Sequence, residues 1–325
     1  MSIHPLDLSD DGVLASAYRI ECAANEHARP GWLGRGQEAR ILGWRADDGW
    51  TNRFVGAWDG TNLLGFAASM TSDDVPDTTW ILVCVHPAHQ GLGLGTALER
   101  AAERDSPPST TRFVTSVYRP TLESIAGLAE RFLTPLGYSV VTTETVVELD
   151  VVSADLTPPP AVDDYAVFTY VDGVPERFRE QVGQIKGLVD AEAPNGALGW
   201  GETAVSAAEY AQEIDLWKAQ GFTAIESIAI NTHGDVAAWT CLMSSGDGGR
   251  PADIEGTLVL SQHRGRGLGV AVKLACLRRA KELGSIRHVR TSSDDQNIWM
   301  RTINDSIGFV PVESEVLLQK LRAAG

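Results

Sequence analysis

The chain has 325 residues, 43% of them hydrophobic and 22% charged, which is enough length for two domains of ordinary size, each with its own core. Its 43 acidic residues against 27 basic ones give a net charge of −16. That argues against nucleic acid as a partner, since phosphate binding needs clustered Lys and Arg. The longest apolar runs, such as Trp80–Val85 and Val236–Met243, are too short for a bilayer, so no membrane partner is expected.

Residues Met1 to Asp7 lack the basic and apolar stretches of a signal peptide. Cys22, Cys84, Cys241 and Cys276 show neither metal nor disulfide spacing, which predicts free thiols, a cytoplasmic location and no metal.

Taken in chain order, periodicity predicts a helix over Gly12–Asn25 and strands over Arg53–Ala57, Leu63–Met70 and Thr79–Val85. A helix over Leu94–Glu103, a strand over Arg112–Val117, a helix over Leu122–Leu133 and a strand over Tyr138–Leu149 follow. The segment Val151–Asp164 holds Pro158, Pro159 and Pro160, which suit a stiff linker. The expected organisation is therefore a domain over 1–150, a linker over 151–164 and a second domain over 165–325.

The second half repeats the order. Helices are predicted over Glu176–Asp190 and Ala207–Gln220, and strands over Thr223–Ile230, Val236–Met243 and Ile254–Leu260. Then come helix Leu268–Leu283, strand His288–Thr291, helix Asn297–Ser306 and strand Val310–Leu318. Asp59-Gly60 and His233-Gly234 each read as a tight turn between strands.

The repetition is most specific at two glycine loops. Val85-His86-Pro87-Ala88-His89-Gln90-Gly91-Leu92-Gly93-Leu94-Gly95-Thr96 recurs 174 positions later as Val259-Leu260-Ser261-Gln262-His263-Arg264-Gly265-Arg266-Gly267-Leu268-Gly269-Val270. Gly137-Tyr138 and Gly308-Phe309 correspond at an offset of 171. Each loop follows a strand and opens a helix, whose bare N–H groups suit a diphosphate. Neither loop ends in Gly-Lys-Ser/Thr, which excludes a nucleotide-triphosphate loop, and the dinucleotide fingerprint does not fit the spacing.

These residues resemble the acyl-CoA pyrophosphate loop of the GNAT N-acetyltransferase superfamily. Gln90 to Gly95 and Arg264 to Gly269 carry the resemblance, together with the Gly-Tyr and Gly-Phe pairs and Asn297-x-x-Met300-x-x-x-Asn304-x-x-x-Gly308-Phe309. It covers nearly the whole chain as tandem domains, an arrangement like that of mycothiol synthase. It implies an α/β (α+β) fold in which each domain has a mixed, mostly antiparallel sheet flanked by helices.

The resemblance further implies acetyl-CoA, or another acyl-CoA, as cosubstrate. The loop residues Gln90, Gly91, Leu92, Gly93, Leu94, Gly95 and Thr96 would hold it in one half, and Arg264, Gly265, Arg266, Gly267, Leu268, Gly269 and Val270 in the other. Asn297 and the strand ends Val83, Cys84, Val85 and Thr257, Leu258, Val259 would contact its arm. Arg264 and Arg266 are expected to add counter-charge in the second loop, which Gln90 does not supply in the first.

Transfer to an amine needs the amine neutral, against an alkylammonium pKa of about 10.4. Glu255 is the candidate base, four residues before Val259 on the same expected strand face, with Asp253 beside it. A solvated acid at the start of a strand is an equally weighted reading. His86 and His89 flank the first loop, where the ordinary pKa of a histidine suits a base, and packing on the turn is the favoured reading.

The family often places a Tyr four residues before the Gly of Gly-Phe. Leu133 and Asn304 stand there, which makes Asn304 a hydrogen-bonding candidate and leaves the acid open. The expected activity is N-acyl transfer, of groups other than aminoacyl groups, to a primary amine of a small molecule. The second half is favoured as catalytic, and the protein acts as a monomer or homodimer. The alternatives are a CoA-binding sensor or assembly module without catalysis, a mycothiol-synthase-like enzyme and a protein acetyltransferase. Met243 and the segment Asp190–Gly221, with Trp200 and Trp217, are candidates for a substrate wall.

Overall fold

The computed structural model describes residues 1–120, 128–159, 161–194, 196–245 and 249–322. Packing divides the chain into two compact units, Met1–Val141 with Glu315–Gly325, and Thr142–Ser314.

The first unit begins with β1 (Ser2–Pro5), α1 (Asp11–Ala28), α2 (Gln37–Trp44), β2 (Trp50–Asp59), β3 (Asn62–Ser72) and β4 (Thr78–Val85). It continues with α3 (Leu94–Asp105), β5 (Arg112–Pro120), α4 (Leu128–Leu133) and the start of β6 (Ser139–Asp150). Residues 122–127 of the expected helix before Leu133 lie outside the described residues.

The second unit takes the rest of β6, then β7 (Tyr165–Val171), α5 (Glu176–Glu192), α6 (Ala207–Ala219), β8 (Phe222–Asn231) and β9 (Val236–Ser245). β10 (Ala252–Val259), α7 (Leu268–Leu283), β11 (His288–Asp294), α8 (Ile298–Ile307) and the start of β12 (Val310–Leu321) complete it.

Local chemistry sets the element ends. The Asp10 carboxylate accepts from Gly12 N–H at 2.8 Å and Val13 N–H at 3.1 Å and starts α1. Ser206 and Glu209 form a reciprocal capping box on α6. Gly60 (φ 59°) and Gly234 (φ 90°) turn the β2–β3 and β8–β9 hairpins, as expected from the sequence.

Strands in the first unit lie in the order β1-β2-β3-β4-β5-β12, and in the second β6-β11-β10-β9-β8-β7. The β4–β5 and β10–β11 pairs are parallel, while β2–β3, β3–β4, β8–β9, β9–β10 and β6–β11 are antiparallel. Each sheet is thus mixed and mostly antiparallel, with helices on both faces. In the first unit Leu98 and Ala101 of α3 cover one face, while Leu14 and Ala17 of α1 cover the other with Trp44 of α2. In the second, Leu274 and Leu277 of α7 oppose Phe178 and Val182 of α5 and Tyr210 of α6.

Each core is closed by a strand from the other half of the sequence. Val316 and Leu318 pack with Phe113, Leu133 and Tyr138 in the first unit. Val147 and Leu149 pack with Val289, Ile307 and Phe309 in the second. The expected linker also contributes apolar mass, because Val151 and Leu156 are buried in that second core.

Three elements were not foreseen. β1 is four residues long with every residue exposed, α2 is one eight-residue helix behind Gly36 with no side-chain cap, and β7 has no clean alternation of burial. None of these carries a periodic signal long enough to register.

Candidate active site

In each unit, the strand that leads into the glycine loop separates from its parallel neighbour. β4 follows β3 from Thr79 to Val85, whereas its pairing with β5 covers Thr78, Thr79 and Trp80. β10 follows β9 to Val259, whereas its pairing with β11 covers Ala252 and Asp253. Val83, Cys84, Val85, Thr257, Leu258 and Val259 therefore lie beyond the point of divergence. There, among the described residues, β4 has no β5 partner and β10 no β11 partner, which leaves a strand edge of the kind an extended guest pairs with.

The two loops share one conformation. Gly91 and Gly93 have φ of 76° and 79°, and Gly265 and Gly267 have 75° and 77°. Side chains at such φ cost roughly 1–2 kcal/mol each, so the first two glycines of each set are there for backbone reasons. Gly93 and Gly267 are the N-caps of α3 and α7, and neither helix has a side-chain cap.

A Cβ added at Gly91, Gly93, Gly265 or Gly267 meets nothing within 4 Å. The space over each turn is open to an anion that the first-turn N–H groups and helix dipole attract. The third glycine serves packing instead. A Cβ on Gly95 sits 3.1 Å from Phe132, and one on Gly269 sits 3.1 Å from Ile303 and 3.5 Å from Val259. Leu94 and Leu268 are buried and pin each helix start into the core. Leu92, Arg266 and both loop glycines before the helix are exposed, and Thr96 and Val270 are half-buried.

Gln90 and Arg264 perform one task that the sequence did not suggest. Gln90 Nε2 donates to the Val85 carbonyl at 3.1 Å, and Arg264 Nε donates to the Val259 carbonyl at 3.0 Å. Each holds its loop to the end of its strand. Arg264 is also ion-paired with Glu192 at the end of α5, so its expected free counter-charge is already engaged. The Arg266 guanidinium lies 5.8 Å from the Tyr165 ring, and the Tyr165 hydroxyl contacts His263 Nδ1 at 2.7 Å. In the first loop, His86 Nδ1 accepts from Ala88 N–H at 3.3 Å, a turn role.

The units differ at the candidate base. β10 changes register against β9 between Ile254 and Gly256, which makes Glu255 the extra residue of a β-bulge. β4 pairs with β3 in unbroken register, and Ile81, 174 positions before Glu255, is buried there. Glu255 is exposed.

The bulge also breaks the expected alternation. Ile254 packs with Leu274 of α7, while a Cβ on Gly256 meets Trp239 and Val189 on the α5 side. Strict alternation would place Glu255 on the face of Thr257 and Val259, and the bulge removes that relation. Thr257 Oγ1 shares a 2.8 Å hydrogen bond with Thr240 Oγ1, and Leu258 is buried in the α5–α6 core.

Asn297 begins α8, where its carboxamide oxygen accepts from Met300 N–H at 3.1 Å. Asn304, one of the two candidate catalytic residues, is 1% exposed and turned into the protein. Its Oδ1 accepts from Lys273 Nζ at 2.5 Å, while its Nδ2 is buried without a partner. Burial pulls the Lys273 pKa from 10.5 down to about 7. Sequence reasoning missed this lysine, although a lone cation in the apolar run Val270-Ala271-Val272-Lys273-Leu274-Ala275 was visible.

The first unit also carries a buried ionisable group at the matching position. Burial, then neighbouring Glu103, raises Glu99 from 4.5 to about 7, while Lys320 at 3.4 Å opposes the shift. Of the candidate substrate wall, Met243 is buried, and Trp217 packs on the α5–α6 core with Lys186 Nζ 4.8 Å from its ring. Among the described residues no group of three or more His, Cys, Asp or Glu side chains could hold a metal, and no helix is long and apolar enough to cross a membrane.

Residues 17–117 and 197–300 match the model of the acetyltransferase (GNAT) family, and the chain belongs to that family. A tandem GNAT protein from the clavulanic acid biosynthesis pathway, solved without acetyl-CoA, has a similar structure. It aligns over 100% of this chain and 99% of its own with a TM-score of 0.79 and 20% identity. A GCN5-related N-acetyltransferase from Sphaerobacter thermophilus aligns over 100% and 96% with a TM-score of 0.63 and 20% identity. A glucosamine N-acetyltransferase region of a fungal multi-domain GH3 β-N-acetylglucosaminidase aligns over 98% of this chain and 38% of that one, with a TM-score of 0.67 and 16% identity. No curated protein matches the chain.

Proposed function

We propose that the second unit is an acetyl-CoA-dependent N-acetyltransferase acting on a primary amine of a small molecule. The observation that carries the reading is the coincidence, in one place, of a separated strand end, an uncapped helix start and an acid-bearing bulge. The first unit has the first two features and lacks the third.

The thioester supplies an activated acyl group and a thiolate that leaves. The backbone N–H groups from Gly265 to Val270 hold the diphosphate, and the edge of Thr257–Val259, beyond the reach of β11, receives the pantetheine arm. An N–H at that edge polarises the carbonyl as the amine nitrogen attacks. Glu255, directly or through water, takes the proton the amine sheds. Asn304 is buried and supplies no proton, so the thiolate leaves without a side-chain acid from that position. Four free cysteines, three of them buried, accord with a cytoplasmic setting.

A second reading, CoA binding without turnover, is favoured by that missing acid. Release of free thiol from acetyl-CoA, measured against polyamines, aminoglycosides and amino sugars, separates the two. Amine-dependent thiol release that disappears in Glu255→Gln supports catalysis. Binding by calorimetry with no thiol release under any amine supports the second reading.

A further inference from the structure

The α8 helix is held to its unit by little. It has ten residues and buries two of them, Asn304 and Ile307, while Ile298 and Trp299 at its start are 70% and 84% exposed. One of these two anchors is a polar bond to α7. Lys273 Nζ donates to Asn304 Oδ1 at 2.5 Å, lies 3.4 Å from Met300 Sδ and sits 5.7 Å from the Phe309 ring.

One turn earlier on α7 is Gly269, where the two helices approach so closely that a Cβ comes within 3.1 Å of Ile303. Lys273 thus bonds α7, whose start is the glycine turn, to α8, whose start is Asn297. The first unit is built differently at the matching places. Glu99 replaces Lys273 and is bonded to Lys320 of β12, and Leu133 replaces Asn304 in an apolar cluster.

We propose that Lys273 is a positioning residue for the coenzyme site, fixing α8 and its Asn297 end against the α7 turn. The inference rests on the coenzyme reading of that site. A polar bond suits this task because its direction and length are defined, whereas an apolar contact tolerates sliding.

The test is calorimetric titration of the full-length chain with acetyl-CoA, in a Gly93→Glu background that closes the first turn. The variants are Lys273→Met, the double variant Lys273→Met/Asn304→Leu, which copies the Leu133 arrangement, and Val289→Ala, which trims the core of the same unit. Lys273→Met and the double variant are expected to lose affinity by about tenfold or more, the scale of a small misplacement at a binding site. The double variant keeps its melting temperature because its apolar pair refills the core. Val289→Ala melts lower yet binds normally.

Wild-type affinity in the double variant overturns the inference, as does affinity that simply follows melting temperature across the set. A parent chain that binds no acetyl-CoA at all overturns the coenzyme reading, and this inference with it. That outcome is distinguishable because it is seen before any change at Lys273.

Discussion

Replacing Lys273 with Met removes a buried titratable group while keeping a similar length of side chain. In the folded protein this lysine releases its proton near pH 7, against 10.5 for an ordinary lysine. Between those values the unfolded chain holds one proton more than the folded chain, so folding stability rises with pH. The slope is about 1.4 kcal/mol per pH unit. From pH 7 to pH 9 the wild type therefore gains about 2–3 kcal/mol that Lys273→Met lacks, and below pH 7 the burial cost is fully present.

The groups that face this amine are the Cys276 thiol on α7, the Asn304 amide and Met300 thioether on α8, and the Phe309 ring just before β12. None is a carboxylate that would hold the ammonium. Burial pushes the Cys84 and Cys241 thiols up, an effect at higher pH that both proteins share, and it pushes up Cys276 as well, where the Lys273 charge opposes the shift in the wild type alone. The assay is urea unfolding of both proteins at pH 7, 8 and 9, followed by tryptophan fluorescence. A stability gap that stays constant over that range refutes a lysine that loses its proton inside the fold.

Gly267→Glu forces a side chain into a φ of 77° and puts a carboxylate over the diphosphate position, so acetyl-CoA binding to the second unit is expected to disappear by calorimetry. Unchanged affinity refutes the loop assignment. Glu255→Gln is expected to lower kcat by about 10²-fold or more with acetyl-CoA affinity unchanged; steady-state thiol release measures it, and an unchanged kcat refutes the base assignment. Glu99 keeps its proton to about pH 7 in the fold and releases it near 4.5 when unfolded, so its contribution is lost as pH rises between those values. Glu99→Gln is expected to flatten thermal stability over that window, and a parallel decline in both proteins refutes the buried carboxyl.

Much of the fold is legible in the chain because the signals are local. Glycines at two spaced positions are needed wherever a turn requires positive φ, and Gly91, Gly93, Gly265 and Gly267 stand at such positions. The Leu268, Ala271 and Leu274 stripe defines α7 because helix period and burial are both read from neighbours in sequence. Duplication follows from the same local features recurring at offsets of 174 and 171.

Which residues meet is settled by folding alone. The strands that carry Val147 and Val316 have equivalent apolar patterns, and nothing within either strand states that each completes the core of the other half. The bulge at Glu255 arises from pairing with β9, and strict alternation along one strand does not reveal a register shift set by its partner. Lys273 and Asn304 are 31 positions apart and Arg264 and Glu192 are 72 apart, so their bonds exist only after helices pack. Period and turn geometry are properties of a few consecutive residues. Burial, pairing and charge compensation depend on partners that the chain brings together by folding.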